Sequence, residues 1–143
     1  VYLLDVNVLL PLLWPAHEHH ERASEWFLSH ADAGWATCPF TQAAFIRLLS
    51  NPRMSSDATT PANAESLLYR NLSHPRHQFW PDEISVHDAL APLRGGVVGH
   101  RQVTDAYLLG LALHRKGKLA TFDRAIASLV PEGVAASSVF ELL

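Results

Sequence analysis

The chain has 143 residues, of which 48% are hydrophobic and 17% charged, a balance that suits one globular domain over residues 1–143 and not a disordered protein. No apolar run is long enough to span a bilayer, so a membrane partner is not expected. The formal net charge of −3 argues against a protein that coats nucleic acid, while leaving room for a local basic patch in an enzyme that cuts it.

In chain order, residues 1–4 form an apolar run that stops at Asp5 and reads as a buried parallel strand. Asn7 is then expected to cap a helix over residues 8–14, with Pro11 tolerable only near its first turn and Pro15 closing it. Residues 17–29 read as a helix with Ala23, Trp26 and Phe27 on its apolar positions, and residues 35–38 as a second strand. Thr41 is placed as the cap of a helix over residues 42–49, which Asn51-Pro52 stops. Residues 53–60 are loop-like, and Pro61 opens a helix to about Leu72. A third strand is expected at residues 77–80, a short helix near residues 86–93, and a break at the glycine-rich residues 95–99. Thr104 then caps the most apolar helix, residues 105–115, closed by Gly117. Residues 118–122 form a strand ending at Asp123, a short helix runs to about Leu129, and a last strand is expected at residues 134–136. Strands alternating with helices imply a mainly parallel central sheet covered on both faces, a three-layer α/β/α sandwich. Cys38 is the only cysteine, and the start of the chain lacks the basic flank of a signal peptide. A reducing cytoplasm is the expected location.

In parallel sheets, ligands bind beyond the carboxyl ends of the strands. Asp5 and Asp123 both stand at such ends, and Asp105 opens a helix, where its charge is favoured by the helix dipole. Each alone has a bland reading as a cap or turn residue. Together they suggest a carboxylate cluster, whose mutual repulsion is commonly relieved by a hard divalent cation such as Mg²⁺ or Mn²⁺. Such an ion acidifies water and offsets charge on a scissile phosphate. Asn7 and Thr121 lie beside these acids as supporting polar groups. Arg47, Arg101 and Arg124 flank the same motifs and are candidate RNA phosphate contacts, with plain surface solvation as the alternative. The run His17-Glu18-His19-His20-Glu21 lacks metal-ligand spacing and reads as a solvated helix start. Trp26, Trp35 and Trp80 read as core rather than as base-stacking platforms. The glycine run is not a phosphate loop, because no Lys-Ser/Thr follows it.

Asp5-x-Asn7 after its apolar strand, Thr104-Asp105-Ala106-Tyr107-Leu108, and Leu119-Ala120-Thr121-Phe122-Asp123-Arg124 resemble the motif blocks of PIN-domain nucleases. The stretches from Thr41 to Leu48 and from His100 to Asp105 resemble, more narrowly, the VapC toxin branch. The resemblance spans nearly the whole chain in the right order. It implies a PIN-like fold and a Mg²⁺-dependent endoribonuclease with Asp5, Asp105 and Asp123 as catalytic metal ligands. It also implies products with a 5′-phosphate and a 3′-hydroxyl, a homodimer, and a cognate VapB-like antitoxin that holds the enzyme inactive. One departure stands out: the family commonly places a glutamate where this chain has Ala44, and the nearby Gln42 is uncharged. Two other readings remain open at this stage. A haloacid-dehalogenase-like phosphatase also starts with a similar Asp5-Val6-Asn7 turn, although it needs an acid at the position of Asn7. A PIN fold lacking one acid also suits a binding or regulatory module without catalysis.

Overall fold

The computed structural model describes residues 1–93, 95 and 97–143; the expected break at residues 95–99 therefore falls partly outside the described residues, at Gly96. Strands β1 (Tyr2–Leu4), β2 (Trp35–Thr37), β3 (His77–Phe79), β4 (Lys118–Thr121) and β5 (Phe140–Leu142) form one sheet in the order β3-β2-β1-β4-β5. Every pairing is parallel, with Leu3 opposite Ala36 on one side and Leu119 on the other. Successive strand residues face opposite ways, so the strands feed two cores. Leu3, Ala36 and Leu119 join one core under helices α5 (Val86–Leu90) and α6 (Val103–His114). Leu4, Trp35 and Ala120 join the other, under α1 (Val6–Leu13), α3 (Pro39–Leu49) and α4 (Pro61–Leu72), with α2 (His20–His30) packed at its margin. This is the expected three-layer sandwich. Among the described residues no helix is long and apolar enough to cross a membrane.

Helix α6 is apolar nearly all round because it is buried nearly all round. Leu108, Leu109 and Leu111 are at most 2% exposed, and each such burial stabilises by roughly 1.5–3 kcal/mol. Its close approach to α5 depends on Gly110, since a Cβ there would lie 2.8 Å from the Ala89 Cα. The helix ends in a Schellman motif, with Lys116 N–H donating to Leu113 O at 3.0 Å and Gly117 N–H to Ala112 O at 2.9 Å. The left-handed residue is Lys116, at φ 54°, and not the glycine. Gly117 serves instead to let Trp80 and Val1 approach: a Cβ would sit 2.9 Å from the Val1 carbonyl oxygen.

Several expected boundaries are corrected. Asp5, not Asn7, is the N-cap residue of α1, so Asn7 lies in the first turn with its side chain free to reach another strand. Pro11 sits well inside α1, where it forgoes the hydrogen bond to the Asn7 carbonyl. Helix α2 starts at His20 rather than His17, because residues 15–19 form turns in which His17 N–H meets Trp14 O and His20 N–H meets His17 O. Cys38 rather than Thr41 caps α3; Pro39 occupies the first turn and the Thr41 hydroxyl accepts from Cys38 N–H at 3.0 Å. Thr104 is also not a cap, since a 3₁₀ turn at His100–Gln102 carries α6 back to Val103. The final strand is Phe140–Leu142, while residues 134–136 run into a 3₁₀ turn. Leu143 N–H donates to Thr121 O at 3.0 Å, so the pairing that selects this segment extends along β4.

Candidate active site

The sheet order reverses between β1 and β4, since β1 leads to β2 on one side and β3 crosses over to β4 on the other. Carboxyl ends of parallel strands diverge at such a switch point and leave a crevice. Asp5 follows β1 there and is only 4% exposed. Its backbone N–H extends the ladder to Ala120 O at 3.0 Å, while its carbonyl accepts from Val8 and Leu9 to start α1.

Across the switch point, the Thr121 hydroxyl uses its full hydrogen-bonding capacity. It donates to Asp5 Oδ2 at 2.8 Å and accepts from Asn7 Nδ2 at 2.9 Å and from Asp123 N–H at 3.0 Å. Asn7 Oδ1 accepts from Phe122 N–H at 3.0 Å. Asn7 therefore bridges α1 to the end of β4 through both its amide nitrogen and its amide oxygen, and an amide cannot act there as a general acid or base. That removes the role a haloacid-dehalogenase-like phosphatase would need from this position. Asp123 Oδ1 accepts from Ala125 N–H at 2.8 Å, fixing the turn that follows.

The electrostatics tie Asp5, Asp105 and Asp123 together. Burial pushes the Asp5 carboxyl above its usual range, opposed by the Thr121 hydroxyl and the Val6 and Asn7 amides, with further upward pressure from Asp123. Asp105, half-buried at the start of α6, is pushed up to about 6 by burial, then by the negative charges of Asp5 and Asp123. Burial is the larger cause for both groups, and like charges held in one neighbourhood add to it.

Two clefts meet at Asp105. One is lined by Asp5, Phe40, Thr41, Ala44, Arg47 and Thr104 in addition to Asp105 itself. The other is lined by Arg101, Gln102, Asp105, Asp123 and Ile126. Arg47 thus lines one of these clefts and Arg101 the other, whereas Arg124 is exposed and lines neither. Gln42 turns away, donating to Thr37 Oγ1 at 2.9 Å. Trp35 and Trp80 are core residues, 2% and 3% exposed. Trp26 is partly buried and stacks on His30 with ring centroids 4.7 Å apart. Sequence reasoning missed Phe40, which is 42% exposed yet borders the cleft. Its only signal was a large apolar residue in the first turn of α3, beside a proline.

Among the described residues no group of His, Cys, Asp or Glu side chains is closed around a point where a metal ion would sit. The donor set nevertheless fits a hard divalent cation by its chemistry: carboxylate oxygens without thiolate or imidazole, two of them with proton affinity raised by burial and, to a lesser degree, by one another's charge.

The PIN domain family model matches residues 2–130. The chain belongs to the PIN-domain family, within its VapC ribonuclease branch. It is 43% identical to Ribonuclease VapC39 of Mycobacterium tuberculosis over 92% of this chain and 95% of that protein. It is 44% identical to Ribonuclease VapC38 of the same organism, covering 91% of this chain and 90% of the relative. In fold it matches VapBC2 from Rickettsia felis bound to a promoter DNA fragment, with a TM-score of 0.64, 16% identity, and coverage of 99% and 97%. FitAcB from Neisseria gonorrhoeae matches with a TM-score of 0.57 at 21% identity, covering 88% of this chain and 90% of that one.

Proposed function

We propose that this chain is the toxin of a toxin–antitoxin pair and hydrolyses RNA phosphodiester bonds with the help of Mg²⁺ or Mn²⁺. The observation that carries the reading is the placement of Asp105 in two adjoining clefts, one shared with Asp5 and the other with Asp123, at the switch point of the sheet. Those carboxylates would hold the ion, which when bound offsets charge on a phosphodiester and acidifies water. Thr121 and Asn7 orient the Asp5 carboxylate through the bonds described above. Arg47 and Arg101 approach a phosphate from the two clefts, as bidentate cations suited to non-bridging oxygens. Ribonuclease names among the relatives support RNA as the substrate, and the VapBC2 complex supports an antitoxin partner.

A homodimer and an antitoxin groove are part of the same proposal. An apolar hollow lined by Leu12, Leu13, Phe27, Trp35, Asn71 and His74 lies on the α1–α4 layer, and Leu28, the residue after Phe27, is 83% exposed. The test of the enzymatic reading is cleavage of a labelled single-stranded RNA by the purified chain. Cleavage with Mg²⁺ or Mn²⁺ that stops in excess chelator is expected. Cleavage indifferent to chelator, or none with either ion, would overturn it.

Ala44 favours the second reading, a PIN module with weak or no catalysis, because it lines the cleft that also holds Asp5 and Asp105. A glutamate at that position would add ligand charge, which tightens hard-cation sites. Ala44→Glu should therefore bind Mn²⁺ more tightly by roughly tenfold in calorimetric titration. Gln42→Glu should do less, since Gln42 faces Thr37. Equal affinity of Ala44→Glu and the parent chain would show that the cleft side of α3 lies outside reach of the ion.

A further inference from the structure

Residues 17–21, whose spacing does not suit metal ligation, fold onto the rim of the site instead of trailing into solvent. His20 Nδ1 lies 2.7 Å from Pro11 O, which fastens the segment to α1. His17 is partly buried and held below its usual proton affinity by that burial and by His19. His19 and Arg22 remain facing outward. The His19 ring stacks on Phe122 with centroids 5.2 Å apart and planes 29° from parallel, and the Arg22 guanidinium lies 5.5 Å from the same ring centroid. Arg22 is exposed and forms no ion pair with any described residue.

Phe122 is the residue between Thr121 and Asp123, and its amide is held by Asn7, which also holds the Thr121 hydroxyl that donates to Asp5. The backbone that carries the ring is thus held by the same hydrogen-bond network that orients Asp5. An exposed cation and an exposed π-face, both seated on that ring, contribute little to folding at a solvent-facing position. They are the pair of groups that single-stranded nucleic acid uses, a cation for phosphate and a flat surface for a base. A protein partner is less well matched here, since neither the apolar hollow of Leu12 and Phe27 nor the cleft of Leu10, Trp14 and His17 includes His19, Arg22 or Phe122.

The geometry points to Arg22, His19 and Phe122 as a nucleotide subsite for single-stranded RNA, in which Arg22 takes a phosphate flanking the cleavage point and a base stacks on His19. This inference rests on the ribonuclease reading and deepens it. It assigns substrate-holding to residues that touch none of the three carboxylates.

The test is steady-state cleavage of a short single-stranded oligoribonucleotide by the full chain with Mg²⁺, repeated over a range of salt concentrations. Arg22→Gln should raise KM roughly tenfold while kcat stays within about twofold. It should also lower the slope of log(kcat/KM) against log salt by about 0.7, the share of one phosphate contact on a single strand. Arg22→Lys should restore the slope, and His19→Ala should raise KM by roughly fivefold or more through lost stacking. Both positions are exposed, so melting temperatures should stay close to the parent's. Unchanged KM and salt slope in Arg22→Gln would overturn the subsite while leaving the ribonuclease reading intact. So would weakened antitoxin binding with unchanged RNA kinetics, which would make the surface a protein contact. A parent chain that cleaves no RNA would remove both.

Discussion

Replacing Asp5 by Asn should abolish most RNA cleavage, by roughly 10²–10³-fold in kcat, while leaving the metal-free protein at least as stable as the parent. The two halves of this expectation come from one fact. Asp5 is 4% exposed, and burial is the first cause of its raised proton affinity. A carboxylate that must lose water to fold costs stability unless something compensates it. Asparagine keeps an oxygen to accept from the Thr121 hydroxyl and removes the charge. The direction of the pH effect follows. Below 3.8 the native and unfolded chains both hold the proton on Asp5, and no penalty exists. As pH rises toward the elevated native value, the unfolded chain releases its proton more readily than the native one, and stability is lost. In chelator, the melting temperature of Asp5→Asn should therefore exceed the parent's by an amount that grows as pH is raised above 3.8. Asp105, displaced to about 6, adds to the same trend because neutralising Asp5 removes one of the charges that crowd it. Excess Mg²⁺ should reverse the order, since only the parent then gains from binding. Melts in chelator that place the variant well below the parent at neutral pH would identify Asp5 as a structural cap.

A second large effect is expected far from the site. Gly110→Ala should destabilise the fold by about 2 kcal/mol, near 5 °C in melting temperature, and Gly110→Val by more. Alanine in a helix interior ordinarily gains about 1 kcal/mol over glycine, so propensity alone predicts the opposite sign. Packing decides. The added methyl would stand 2.8 Å from both the Cα and the carbonyl carbon of Ala89, backbone atoms that cannot swing aside as a side-chain end can. Helix α5 must move away from α6, and Ala89 and Leu93, both buried, would lose contacts with it. A thermal melt settles the sign, and an Ala variant as stable as the parent would mean α5 yields without cost. Because Asp105 starts the helix that carries Gly110, RNA cleavage in surviving protein should also fall.

The catalytic candidates were legible because acids interrupt apolar runs. Asp5 ends Tyr2–Leu4 and Asp123 comes just after the strand Lys118–Thr121, and the stretches before these acids, Tyr2–Leu4 and residues 119–122, carry no charged residue. A residue's place at a strand end depends on its immediate neighbours, so local pattern was enough to put both at one rim. Asp105 was legible as the acid in the first turn of an apolar helix. The two arginines that line the clefts could not be told from Arg124 by sequence, since all three sit beside motifs and only the path of the backbone decides which way each one faces.

By itself, then, the order of apolar and polar residues determined the alternation of strands and helices, the parallel sheet covered on both faces, and the three acids at its edge. These follow from periodicity and from burial, which act over a few residues. The tertiary structure decided everything that joins distant segments. Asn7 looked like a local cap, yet its amide meets Thr121 and Phe122, more than a hundred positions away, because β1 pairs with β4 in the register Leu4–Ala120. The last strand lies at Phe140–Leu142 because that segment reaches β4 in register, an outcome that the similar propensity of residues 134–136 could not exclude. His19 looked like part of a solvated helix start, and only the turn pinned by His20 to Pro11 brings it, with Arg22, over Phe122. Local propensity is worth tenths of a kcal/mol per residue, whereas parallel register is set by whole strands and the helices above them. Contacts across the sheet therefore became visible only once that register was known.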